Sequence, residues 1–191
     1  MIQYNDAEAS SLVLNSEKII EKFGNYDIDV LQSDQRIRVS SLYSTHQGKK
    51  LTRTFSVVHC PAVVNTLFAT EHQEIVNGQS IGAVFKHHGW HIEKRSVFFG
   101  EIEASPDFEP VYALMGNISP TPLATHIYIM IVKKQGAKFR YGTLAEVHHP
   151  KYLNISDLKT AYQQDRNKKM SLHVYKMVDV VKDMMKNTWV V

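Results

Sequence analysis

Residues 123–149 read LATHIYIMIVKKQGAKFRYGTLAEVHH, and this stretch decides the fold class. From Leu123 to Lys134 nearly every residue is β-branched, aromatic or otherwise strand-prone, most densely at His126-Ile127-Tyr128-Ile129-Met130-Ile131-Val132. Gln135-Gly136 breaks the run, and Ala137 to His149 returns until Pro150 stops it. Two extended runs around a glycine-containing pair form an antiparallel hairpin.

The same design occurs upstream. Residues 35–60 read QRIRVSSLYSTHQGKKLTRTFSVVHC. Gln35 to His46 is the outgoing strand, Gln47-Gly48 the turn, and Lys49 to Cys60 the return strand ended by Pro61. The turns echo each other, Gln47-Gly48-Lys49-Lys50-Leu51 against Gln135-Gly136-Ala137-Lys138-Phe139. Turn chemistry alone would produce that echo, so it is weak evidence of duplication.

Outward from the hairpins the chain alternates between helical and extended periods. A helix is expected over 6–23, with Asp6 as N-cap, Leu12, Ile19, Ile20 and Phe23 on one face, and Gly24 as the stop. Ile28 and Val30 continue as extended chain. Residues 63–77 and 80–88 read as two helices ended by Gly78 and Gly89, and Trp90 to Ile102 as a strand. The stretch 103–122, with Pro106, Pro110, Gly116, Pro120 and Pro122, reads as an irregular loop, functional or mobile, with one turn of helix over 110–115. In the tail, Asn154 or Ser156 caps a helix running through Gln164. A second helix, from about Lys169 to Asn187, carries a stripe of Leu172, Val174, Tyr175, Met177, Val178, Val181, Met184 and Met185. That stripe must be covered, by the domain's own sheet or by a second copy of the chain, in a homodimer through the C-terminal helix.

The expected fold is therefore α+β: one domain over 1–191, a core of about 6–150 and a helical extension over 151–191, built on an antiparallel sheet of about five to six strands.

Composition excludes several function classes. The 191 residues are 43% hydrophobic and 21% charged, ordinary for a globular domain, with no apolar run long enough to span a membrane. A net charge of +3 is too small for a nucleic-acid-binding signature. The late lysines (Lys168, Lys169, Lys176, Lys182, Lys186) are interrupted at helical spacing, as on a solvated face. The start, Met1-Ile2-Gln3-Tyr4-Asn5-Asp6, lacks a secretory pattern, and one cysteine, Cys60, allows no intrachain disulfide; a cytoplasmic location is expected. No glycine-rich phosphate loop and no Gly-x-Ser-x-Gly elbow occurs, which removes the usual signatures of nucleotide-dependent and hydrolase chemistry.

Few polar residues stand out. The ten histidines, including His87-His88-Gly89-Trp90-His91 and His148-His149, lack metal-site spacing, so no metal is expected. Neighbouring histidines on a strand face opposite ways, so His148 and His149 do not share a cavity. Cys60, at a strand end before Pro61, lacks the setting of a nucleophile. Arg36 and Arg38 share one strand face, and Leu144, Glu146 and His148 share another. Alternation leaves two readings open. Either these charges face solvent, or their face is roofed and the guanidiniums await anions.

Taken together, these residues resemble the chorismate lyase family, from about residue 16 to about residue 150. The likeness lies in Arg38-Val39-Ser40-Ser41-Leu42 with Arg53-Thr54-Phe55 fifteen residues after Arg38, in Gly78-Gln79-Ser80-Ile81-Gly82, and in Leu144-Ala145-Glu146 followed by Pro150. The resemblance implies helical flaps over a buried ligand pocket and a cofactor-free elimination of pyruvate from chorismate, leaving 4-hydroxybenzoate. It implies that Arg38 and Glu146 are the catalytic residues. It also implies that Arg38, Arg53, Ile81, Gly82 and Glu146 bind the substrate, a small anionic aromatic or cyclic acid. Arg38 would take one carboxylate, Arg53 would support the pocket or a second anion, and the Gly82 amide would add a donor. Glu146, enclosed beside a dianion, is expected to have a raised pKa and to meet the ring hydroxyl. The chain departs from the pattern at Ser16, where the family has a ligand-contacting methionine, in the longer stretch 103–122, and in its last forty or so residues. The alternative is a non-catalytic effector-sensing domain of the same fold. Such sensors follow a winged-helix domain, for which there is no room before residue 25.

Overall fold

In a computed structural model, residues 14–34, 36–60, 64–162 and 172–189 are described, the side chains of 172–174 excepted. The predicted Asp6 cap, Leu12, Pro61, Gln164, Lys168 and Lys169 lie outside these residues, and Leu172 and Val174 lie outside the described side chains.

The elements run α1 (Asn15–Phe23), β1 (Asp27–Ser33), β2 (Ile37–His46), β3 (Lys49–His59), α2 (Ala69–Val76), α3 (Ile81–His87), β4 (His91–Ile102), α4 (Glu109–Leu114), β5 (Leu123–Lys134), β6 (Ala137–His148), α5 (Ile155–Ala161) and α6 (Leu172–Lys186). The strands form one six-stranded sheet in the order β1-β2-β3-β6-β5-β4, with every pair antiparallel. Both predicted hairpins are present. Gln47-Gly48 and Gln135-Gly136 have positive φ at both positions (49° and 75°, 51° and 80°), as the tight turns matched to strand twist require.

The hairpins meet through their return strands, where Thr54, Ser56 and Val58 of β3 face His148, Glu146 and Leu144 of β6. This pairing sets which residues share a face. Arg38, Ser56, Val58, Leu144, Glu146, Tyr128 and Met130 line the front cavity. Val39, Phe55, Val57, Ile127, Ala145 and Val147 form the back face, all nearly or fully buried.

The back is closed by α4 and α6. Met177, Val181 and Met185 are buried against Val57 and its neighbours, at about 1.5–3 kcal/mol per side chain removed from water. Met177, Val181 and Met185 of the C-terminal stripe are thus covered by the domain's own sheet and are not free for a second copy, whereas Tyr175 of the same stripe is exposed. The stretch 103–122 also belongs here. A 3₁₀ turn over Pro106–Phe108 leads into α4, and Phe108, Val111, Tyr112 and Met115 are buried in the back core. Pro106 and Pro110 sit at helix starts, where no amide partner is needed, and Tyr112 donates to the Thr121 carbonyl at 3.1 Å. The segment is therefore a packed part of the fold, and the turn of helix expected over 110–115 is present as α4.

Helices α1, α2, α3 and α5 cover the front. Glu17 accepts from the Leu14 amide at 2.8 Å to start α1, and Gly24, at φ 81°, ends it. Asn15 ties that start to the sheet by donating to Thr54 at 3.0 Å. Among the described residues no helix is long and apolar enough to cross a membrane.

Candidate functional site

The front helices enclose a cavity of about 60 Å3 against the sheet. Arg38, Glu146, Ile81 and Gly82 line it, and so does Ser16. Tyr26, Lys94 and Tyr128, which the sequence did not single out, line it as well.

Arg38 is 4% exposed. Its Nη1 donates to the Gln79 carbonyl at 2.9 Å and its Nη2 to the Gly78 carbonyl at 3.2 Å, while Nε has no partner. Burial lowers its pKa, and no carboxylate among the described residues offsets this. A guanidinium has five N–H donors, and a buried one without a counter-ion is costly unless something anionic arrives. The Tyr26 hydroxyl in the same wall is also buried and unpartnered; Ser80 lies close but outside bonding geometry. Arg36, expected to share the face of Arg38, instead sits before β2, exposed, in a turn where Asp34 Oδ1 accepts its amide at 2.7 Å.

Glu146 faces the cavity from the middle of the sheet. Its Oε1 accepts from the Tyr128 hydroxyl at 2.9 Å and stands 3.6 Å from Lys94 Nζ. Lys94 reaches in from edge strand β4, across the Tyr128 ring at 4.5 Å, and its side chain is 5% exposed. Burial by itself would raise the Glu146 pKa. The Lys94 ammonium and the Tyr128 hydrogen bond outweigh it and hold the carboxyl below its ordinary range. In the free protein an ammonium that no sequence motif marks therefore keeps the Glu146 carboxyl low, whereas the raised pKa expected from the sequence concerns the site with a dianion bound.

Arg53 does not line this cavity. Its Nε donates to Ser44 Oγ at 2.8 Å, and its guanidinium stacks 3.8 Å from the centre of the Phe23 ring at the end of α1. Regular alternation with Thr54, Ser56 and Val58 would put Arg53 on the back face; at a β-bulge Leu42 pairs with Thr54 and Tyr43 with Thr52, leaving Arg53 as the extra residue. The bulge turns its side chain toward α1.

A second, smaller cavity of about 10 Å3 lies on the other side of the Lys94–Glu146 pair, beside Lys18, His148 and Tyr162. The imidazoles here are buried and neutral. Burial pushes His126 down to about 3 and His148 to about 4. His126 lies against the Tyr162 ring (centroids 4.0 Å apart) and pairs with Ser96 at 2.8 Å. His149 sits beyond the end of β6 and bonds the Met115 carbonyl at 3.1 Å, on the back side, as opposed orientation requires. Cys60 is buried, and burial raises its pKa, which disfavours a thiolate. No group of three or more His, Cys, Asp or Glu side chains able to hold a metal occurs among the described residues.

The site offers one cation without a carboxylate partner among the described residues at one end and, at the other, a carboxylate anchored through Oε1 by Tyr128 and Lys94. Such a cavity suits a small ring that carries an anionic group and a polar group at opposite ends. No motif in the sequence marks Lys94, which lies within the strand read from Trp90 to Ile102. In comparison with known proteins, the chain matches no protein-family model and no curated protein sequence.

Proposed function

We propose that this chain is a chorismate lyase-like enzyme of the cytoplasm that eliminates pyruvate from chorismate to give 4-hydroxybenzoate, or a close relative acting on a similar cyclic acid. The observation that carries the reading is the buried Arg38 guanidinium, without a carboxylate partner, in one cavity with Glu146. Arg38 binds a substrate carboxylate, and Glu146 meets the ring hydroxyl. The elimination aromatises the ring, so the protein's task is to hold a reactive conformer and exclude water. The cavity of about 60 Å3 is smaller than the ~150 Å3 hole that takes benzene, so a ring enters when the roof at Leu14, Ile81 and Gly82 moves aside.

Purified protein incubated with chorismate is expected to release pyruvate and 4-hydroxybenzoate, and Arg38→Ala to abolish the release. Full activity in that variant would refute the assignment. The second reading, a non-catalytic acid-binding domain, is favoured by one observation: Tyr128 and Lys94 already engage Glu146. Under that reading the wild type gives no turnover, while 4-hydroxybenzoate raises its melting temperature.

A further inference from the structure

The ionisable groups of the front cavity do not cancel. Arg38 has no anionic partner among the described residues, whereas Lys94 and Glu146 stand 3.6 Å apart, both nearly buried. At that separation in a low-dielectric interior the ammonium favours the carboxylate form of Glu146. With all three charged, the cavity carries one net positive charge, localised on Arg38.

We propose that Lys94 is the residue that sets the charge this cavity accepts. By keeping Glu146 a carboxylate, it matches the site to a ligand with one anionic group and one hydrogen-bond donor. A doubly anionic ligand then enters only with a proton taken up at Glu146. This rests on the acid-binding reading above and deepens it. Against ionised Glu146, a dianion would leave an uncompensated negative charge in the enclosed site, and a proton on Glu146 removes it.

The other ionisable groups around Glu146 are poor sites of proton uptake. Tyr128 and His126 on β5 and His148 on β6 face Glu146 together with Lys94. Tyr128 is already protonated and donates to Glu146 Oε1. The two imidazoles are buried in apolar and aromatic surroundings that resist a charge. Farther out, Lys18 on α1 acts on both imidazoles, and Tyr26, Tyr152 and Tyr162 are affected by Glu146. None of these is an acceptor in direct contact with Glu146.

The test is titration calorimetry at neutral pH in phosphate and in Tris, whose different ionisation heats report protons exchanged on binding. The probes are 4-hydroxybenzoate, a monoanion with a donor, and terephthalate, a dianion of similar size. The wild type is expected to take up no proton with the first and about one with the second. In Glu146→Gln the uptake with terephthalate vanishes. In Lys94→Met it falls toward zero, because Glu146 is then protonated before the ligand arrives. Equal uptake for the two acids in the wild type, or uptake that persists in Glu146→Gln, overturns the role of Lys94. If both acids bind, and Arg38→Met abolishes that binding, but uptake is equal, only this inference fails. If neither acid binds, the acid-binding reading fails and takes this one with it. The wild-type comparison decides the matter even where a variant does not fold.

Discussion

Acid should unfold this protein through three buried imidazoles. His126, His148 and His149 are all nearly inaccessible, and burial depresses their pKa values from 6.5 to about 3, 4 and 4. Local bonding fixes the neutral form. His149 Nδ1 accepts from the Lys151 amide at 2.9 Å, so its proton sits on Nε2, facing the Met115 carbonyl. Thr54 Oγ1 receives the Asn15 amide at 3.0 Å, which leaves its own hydroxyl to donate to His148 Nδ1 at 3.1 Å. Below pH 6.5 the unfolded chain binds a proton at each site and the folded chain does not, so stability falls as pH falls. At pH 5 each group then destabilises the fold by about 2 kcal/mol, and the three by about 6 kcal/mol, against a typical total of about 5–15 kcal/mol. Glu146 does not contribute in this window. Its folded pKa lies below 4.5, so its stabilisation is lost only as pH falls below that value. Urea denaturation at pH 7, 6 and 5 should show a steep fall in midpoint, with no imidazole signal from His126 titrating above pH 5. A loss under about 2 kcal/mol between pH 7 and pH 5 would refute the claim that all three are buried and neutral.

Three further outcomes separate binding from stability. Arg38→Met should weaken acid binding by more than about 100-fold, yet leave the melting temperature of the free protein unchanged or raised, since it removes an unpaired buried cation; thermal scans with and without 4-hydroxybenzoate test both. Arg53→Ala should do the reverse. It loses the bond to Ser44 and the stack on Phe23, about 2 kcal/mol of stability by urea denaturation, with acid affinity nearly unchanged. Truncation after residue 162 removes Met177, Val181 and Met185 from the back face and should cause aggregation; a monodisperse monomer on size exclusion would contradict the role given to α6.

Much of the fold was legible because hairpins are local. The strand periods around Gln47-Gly48 and Gln135-Gly136, with turns that need positive φ, fix both hairpins from neighbouring residues alone. Alternation likewise put Leu144, Glu146 and His148 on one face and Ala145 and Val147 on the other. Alternation has no sign, however: it divides a strand into two faces without saying which is roofed. Here both faces of the sheet are covered, so Glu146 and Val147 are equally hidden, and only tertiary packing decides which charges need partners. Nothing in the sequence marked Lys94, because its partner, Glu146, lies 52 positions away and two strands over. Arg53 read as a ligand group only through the family resemblance, and no local pattern shows that it leaves the strand at a β-bulge to stack on Phe23. By itself, then, the sequence determined the strands, the turns and the division into faces, through interactions of short range. The tertiary structure alone decided which face is enclosed and which charges meet there, because burial and ion pairing join residues far apart in the chain.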